Sequence, residues 1–141
     1  MSYDDNASYG SVSPQLDDLS SILIGDALDM LAEGETLGVL IVMQANTGEV
    51  ESLQLLDDAP DKLLGEAHNL VRTRHDVRCY AIAYEGAVAD GDAFADALIV
   101  EFGEKGQRSY SAYCLYEGKG AGDDFRWTDP APAGEEEALL G

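Results

Sequence analysis

The spacing of hydrophobic positions along this chain changes several times, and each change marks an element. Leu16, Leu19, Leu23, Ala27, Met30 and Leu31 recur at helical steps, while Asp17, Asp18, Asp26 and Asp29 occupy the remaining surface. That pattern predicts an amphipathic helix. Ser13-Pro14 supplies a cap and a first-turn proline, and Gly34 a terminator. Leu37 to Gln44 is β-branched and apolar, Asn46-Thr47-Gly48 offers a turn, and Glu49 to Leu55 alternates as a return strand. Asp58-Ala59-Pro60 opens a second helix running to about His75, with Leu63, Leu64, Ala67, Leu70 and Val71 as its buried stripe. Three strands follow, Val77 to Glu85, Asp96 to Phe102 and Arg108 to Tyr116.

The order αββαβββ with short connections predicts a single α+β domain over residues 13–117. Its sheet should be five-stranded and mostly antiparallel, with both helices covering one face. Residues 1–12, polar and without periodicity, read as a disordered arm. Residues 118–141, rich in glycine, proline and acid, read as an irregular tail from which Phe125 and Trp127 tuck onto the domain. The element order over residues 14–116 resembles that of roadblock-type and profilin-like domains. The resemblance, which is one of topology with no family motif, implies a dimerising scaffold or regulator, although the third helix such domains often add is not evident.

A chain of 141 residues is long enough to bury roughly 70% of the surface it exposes when unfolded. A hydrophobic content of 45% supports a core and argues against global disorder. The net charge of −20 is spread along the whole chain: residues 1–33 carry seven acids and no base, residues 77–141 thirteen acids and five bases. An acidic coat of this kind repels phosphate backbones and anionic bilayers, so neither nucleic acid nor membrane is an expected partner. The longest apolar stretch, Leu37 to Met43, is too short to cross a bilayer. The first twelve residues carry no base and no apolar run, so a cytoplasmic location is expected. Three readings of the acidity compete: adaptation to a salty cytoplasm or plain solubility, a mimic of nucleic acid or immunity-type inhibitor that masks a basic partner, and cation binding.

Four groups of residues could carry chemistry. His68, Arg72, Arg74, His75 and Arg78 form the one basic island, centred on "VRTRHDVRCY". It reads either as an anion site or as the cationic last turn of a helix, which complements the macrodipole. Asp90, Asp92 and Glu101 match positions one, three and twelve of a calcium loop, but Phe94 and Ala95 stand where an oxygen ligand and a glycine are needed, leaving a weak cation candidate. Tyr80, Tyr84, Tyr110, Tyr113 and Tyr116, with Phe125 and Trp127, offer a candidate protein interface. Cys79 and Cys114 lie among apolar strand residues and read as buried free thiols.

No nucleophile elbow, Walker loop, zincin helix or dinucleotide fingerprint is present, and two histidines argue against a histidine-rich metal centre. The expectation is a non-catalytic protein-interaction or assembly domain without a cofactor, working as a homodimer. The alternatives are an acidic immunity-type inhibitor masking a basic nuclease or nucleic-acid-binding partner, and a small-anion site at the end of the second helix.

Overall fold

The computed structural model describes residues 13–56, 60–74, 76–90, 93–107, 109–136 and 139–140. The predicted arm of residues 1–12, together with His75 and Asp92, lies outside them. Helix α1 spans Pro14–Ala32. Its start follows the sequence signal: the Ser13 hydroxyl oxygen accepts the Leu16 N–H at 3.1 Å, with proline at the first helical position. Its end is a Schellman turn, in which Gly34 takes a φ of 77° and the N–H groups of Gly34 and Glu35 return to the carbonyls of Leu31 and Met30.

Strands β1 (Val39–Ala45) and β2 (Val50–Leu55) form a hairpin, and helix α2 (Pro60–Thr73) leads into β3 (Val77–Asp90). Strands β4 (Ala93–Glu104) and β5 (Ser109–Glu117) continue the meander, followed by β6 (Arg126–Trp127) and β7 (Ala131–Glu136). All pairings are antiparallel in the order β2-β1-β3-β4-β5-β6, with β7 also on β5. The α+β class and antiparallel sheet are as the sequence predicts, whereas the described residues form seven strands rather than five.

The helices lie on opposite faces, which corrects the one-face expectation. Leu40 and Val42 of β1 join the α1 cluster, and their neighbours Val39, Ile41 and Met43 join the α2 cluster. The cause is visible in β1 itself, a run of consecutive apolar residues. A strand with one wet face alternates; one covered on both sides does not. On β3 the two faces differ in size. Cys79, Ala81 and Ala83 are small and face α1; Tyr80, Ile82 and Tyr84 are large and face α2. Small side chains let α1 approach the sheet closely.

The remaining corrections concern loops that became sheet. The segment expected to link the third and fourth strands instead extends the β3–β4 ladder out to Asp90 and Ala93. Its alanines and aspartates are weak strand formers, but the hairpin partner satisfies their backbone groups. The C-terminal tail is also more ordered than its composition suggests. Strands β6 and β7 close successive stretches of the outer edge of β5, Phe125 is buried in the α1 cluster, and Leu139 is buried in the α2 cluster. The Gly120 N–H donates to the Leu31 carbonyl, so the tail also satisfies the end of α1. The gain is a protected edge, a requirement that local composition does not encode. Among the described residues, no helix is long and apolar enough to cross a membrane.

The tail therefore belongs to the folding unit. Phe125→Ala should lower stability by about 3–5 kcal/mol, the usual effect of emptying a buried phenylalanine site. Trp127→Ala, at an exposed position, should lower it by less than about 1 kcal/mol. Urea unfolding of the two variants, followed by circular dichroism, checks the contrast.

Candidate functional site

The α2 side of the sheet collects polar groups in one place. Tyr80, Ile82 and Tyr84 of β3 lie opposite Gly103, Glu101 and Ile99 of β4, and Ser111 and Tyr113 of β5 continue the rows. Glu101 is a buried acid inside the apolar run Leu98 to Phe102. Both of its oxygens are engaged. His68, reaching from α2, places Nε2 2.6 Å from Oε1, and the Tyr84 hydroxyl donates to Oε2 at 2.9 Å. A carboxylate taken out of water requires such donors. The cluster bolts α2 to β4 across Ile82.

Around it, the Tyr80 hydroxyl donates to Ser109 Oγ at 3.1 Å, and Ser111 donates to Glu136 of β7 at 2.8 Å. The ring of Tyr80 lies over Gly103, where an added Cβ would collide with both Tyr80 and Ser109. A His–carboxylate–Tyr arrangement can in principle relay protons. Here the three groups bond to one another, and the same bonds clamp α2 to β4. The isolated acid in an apolar strand was the available sequence signal for it, since a buried charge demands a partner.

Described members of the basic island turn to different partners. Arg74, at the end of α2, meets Glu51 of β2 at 2.9 Å, Arg78 meets Glu104 of β4 at 3.5 Å, and His68 meets Glu101. Arg72 is exposed in the last turn of α2 and lies close enough to Tyr80 to act on it electrostatically. His75 lies outside the described residues. A cleft of 420 Å³ beside Arg74 is lined also by Glu49, Glu51 and Asp76, so carboxylates outnumber its guanidinium. That balance does not favour an anion.

The calcium-loop match also separates. Asp90 is at the hairpin tip opposite Ala93, Glu101 is deep in the sheet opposite Ile82, and Asp92 lies outside the described residues. Among the described residues, no group of three or more His, Cys, Asp or Glu is placed to hold a metal.

The aromatic candidates split between the two faces and are mostly covered. Tyr80, Tyr116 and Phe125 are buried; Tyr84, Tyr110 and Tyr113 are half-buried. Tyr116 donates to Glu85 at 2.7 Å and packs on Phe125 with ring centroids 5.7 Å apart. Trp127 stacks on Phe125, also at 5.7 Å, yet remains 56% exposed. It stands at a cleft of 220 Å³ with Ala95, Leu115, Tyr116, Glu117, Arg126 and Thr128. Compared with protein-family models, curated proteins and solved structures, the chain matches none.

Burial suppresses the ionisation of the inward-facing thiols and phenols. Burial pushes the Cys79 thiol up to about 11, with Glu104 adding to the effect, and the Cys114 thiol up to about 11, with Asp129 adding. Burial also pushes Tyr80 up to about 12, against the opposing hydrogen bond with Ser109. Tyr84 and Tyr116 are raised further, by burial first and then by Glu101 and Glu85 respectively.

For each of these groups the folded chain holds its proton longer than the unfolded chain does. Their contribution to stability is complete below about pH 9 and is lost progressively as pH rises towards about 12. Denaturant titrations from pH 8 to about 12 should show stability falling over that window, with the tyrosinate absorbance of Tyr80, Tyr84 and Tyr116 appearing together with unfolding. His68→Ala should lower stability by about 1–3 kcal/mol at neutral pH, because it removes a partner from the buried Glu101.

Proposed function

We propose that this chain is a small acidic protein-interaction domain without catalytic activity, working as a homodimer and offering the Trp127 end of its sheet to a second protein. The observation that carries the reading is the exposure of Trp127 on top of a buried Phe125. Tryptophan and arginine dominate interface hot spots because they combine large contact area with directed polar groups. Both line the same cleft here, with Glu117 across the ladder from Arg126, and among the described residues Arg126 makes no ion pair. In a chain where arginine and lysine are scarce, such a cation is well placed to meet a carboxylate on a partner.

A second reading is favoured by α1. Asp17, Asp18, Asp26 and Asp29 are all exposed there, and the helix contains no base. Such a face suits an inhibitor that masks a basic nuclease or nucleic-acid-binding protein.

Trp127 is the only tryptophan, so its emission reports directly on this surface. A protein co-purifying with the wild-type chain should shift Trp127 emission when added back in pure form. It should bind Trp127→Ala at least tenfold more weakly, a change of about 1.4 kcal/mol. Equal affinity for wild type and Trp127→Ala overturns the Trp127 surface. A complex insensitive to Trp127→Ala that weakens steeply between about 0.1 and 1 M salt supports the masking reading instead.

A further inference from the structure

The two edges of the sheet are built differently. The outer edge of β5 is closed by β6 and β7. Among the described residues, nothing pairs with the outer edge of β2. The direction of its backbone groups follows from the hairpin turn, where Gly48 N–H donates to the Ala45 carbonyl and Ala45 N–H to the Glu49 carbonyl. Antiparallel ladders alternate from such a closing pair. Glu51, Leu53 and Leu55 therefore turn their N–H and C=O groups towards β1, and Val50, Ser52 and Gln54 turn theirs outward.

Exposed edges are ordinarily defended by lysine, proline, bulges or charges. β2 has no lysine, no proline and no register shift, and its one charge, Glu51, is matched by Arg74 at 2.9 Å. Val50 is 54% exposed on the strand, and Leu56 just beyond it is 59% exposed. In a chain of net charge −20, this edge itself adds little to the repulsion between two copies.

We propose that two copies of the chain pair through β2 across a two-fold axis, forming one continuous antiparallel sheet. Only the outward residues can exchange hydrogen bonds, and a register centred on Ser52 uses all three of them. Ser52 then faces Ser52 of the second copy and Val50 faces Gln54, giving about six inter-chain hydrogen bonds. Glu51 falls opposite Leu53, so no carboxylate faces a carboxylate. The two Glu51 side chains come diagonal to each other on one face, each with its own Arg74. Val50 is covered. This surface rests on the homodimer reading above and gives it a location.

The full-length chain serves for the test. Light scattering after size exclusion should give a dimer that tightens as salt rises from about 0.1 to 1 M, because screening relieves the repulsion between two acidic subunits. Ser52→Pro removes the central outward donor without touching the β1 ladder, and Ser52→Glu sets two like charges face to face. Each should weaken dimerisation at least tenfold, with circular dichroism unchanged. Cys79 and Cys114 are buried, so Ser52→Cys introduces an accessible thiol on the axis. Under mild oxidation it should form disulfide-linked dimer at least tenfold more than Gln15→Cys on α1. Monomeric wild-type protein at every salt concentration overturns the homodimer and this surface together. A dimer unaffected by Ser52→Glu, with equal cross-linking from Ser52→Cys and Gln15→Cys, keeps the homodimer and overturns β2 as its seam.

Discussion

The pairing of β1 with β3, buried on both faces, is the constraint on which the rest of this structure depends. Two central strands without a wet side need a helix over each face, and α1 and α2 provide them. The unequal sides of β3 then set how each helix sits. Cys79, Ala81 and Ala83 admit α1 closely enough for it to contact β1, β3 and β4. Tyr80, Ile82 and Tyr84 fill the other side, where α2 packs over β1 and β3 and reaches β4 through His68 and Glu101. The sheet beyond α2 is partly closed by the chain's own end, through β7 and Leu139.

The same constraint gives meaning to the scarce positive charges. Arg74, Arg78 and Lys119 each meet a carboxylate on a different element, Glu51, Glu104 and Glu85. Exposed pairs of this kind contribute little individually, about 0–1 kcal/mol. Their value lies in relieving acid–acid repulsion where strands converge. The His68–Glu101 pair is different, because its carboxylate is buried and losing His68 would leave that carboxylate with the Tyr84 hydroxyl alone. The concentration of bases between Val71 and Tyr80 thus reflects a crossing point. There α2 ends, Asp76 turns the chain through a φ of 63°, and β3 enters the sheet.

Local signals were readable where the physics is local. Ser13, Pro14 and Gly34 bound α1 as their capping chemistry requires, and the turn at Asn46 to Gly48 pairs β1 with β2. Two long-range features were also written in the sequence. The unbroken apolar run of β1 signals coverage on both faces, and Glu101 within Leu98 to Phe102 signals a buried partner. Their interpretation needed topology, since periodicity alone does not say which helix lies over which face.

Element type, helix ends and the hydrophobic stock of the core were determined by the sequence itself, because propensity, capping and amphipathic spacing act within a few residues. Tertiary structure alone decided that the helices take opposite faces and that Glu101 meets His68 from 33 residues away. It also decided that the glycine- and proline-rich tail becomes the closing edge of the sheet. Each of these depends on a partner distant in the chain. Backbone groups and buried charges require satisfaction, but no local pattern specifies who supplies it.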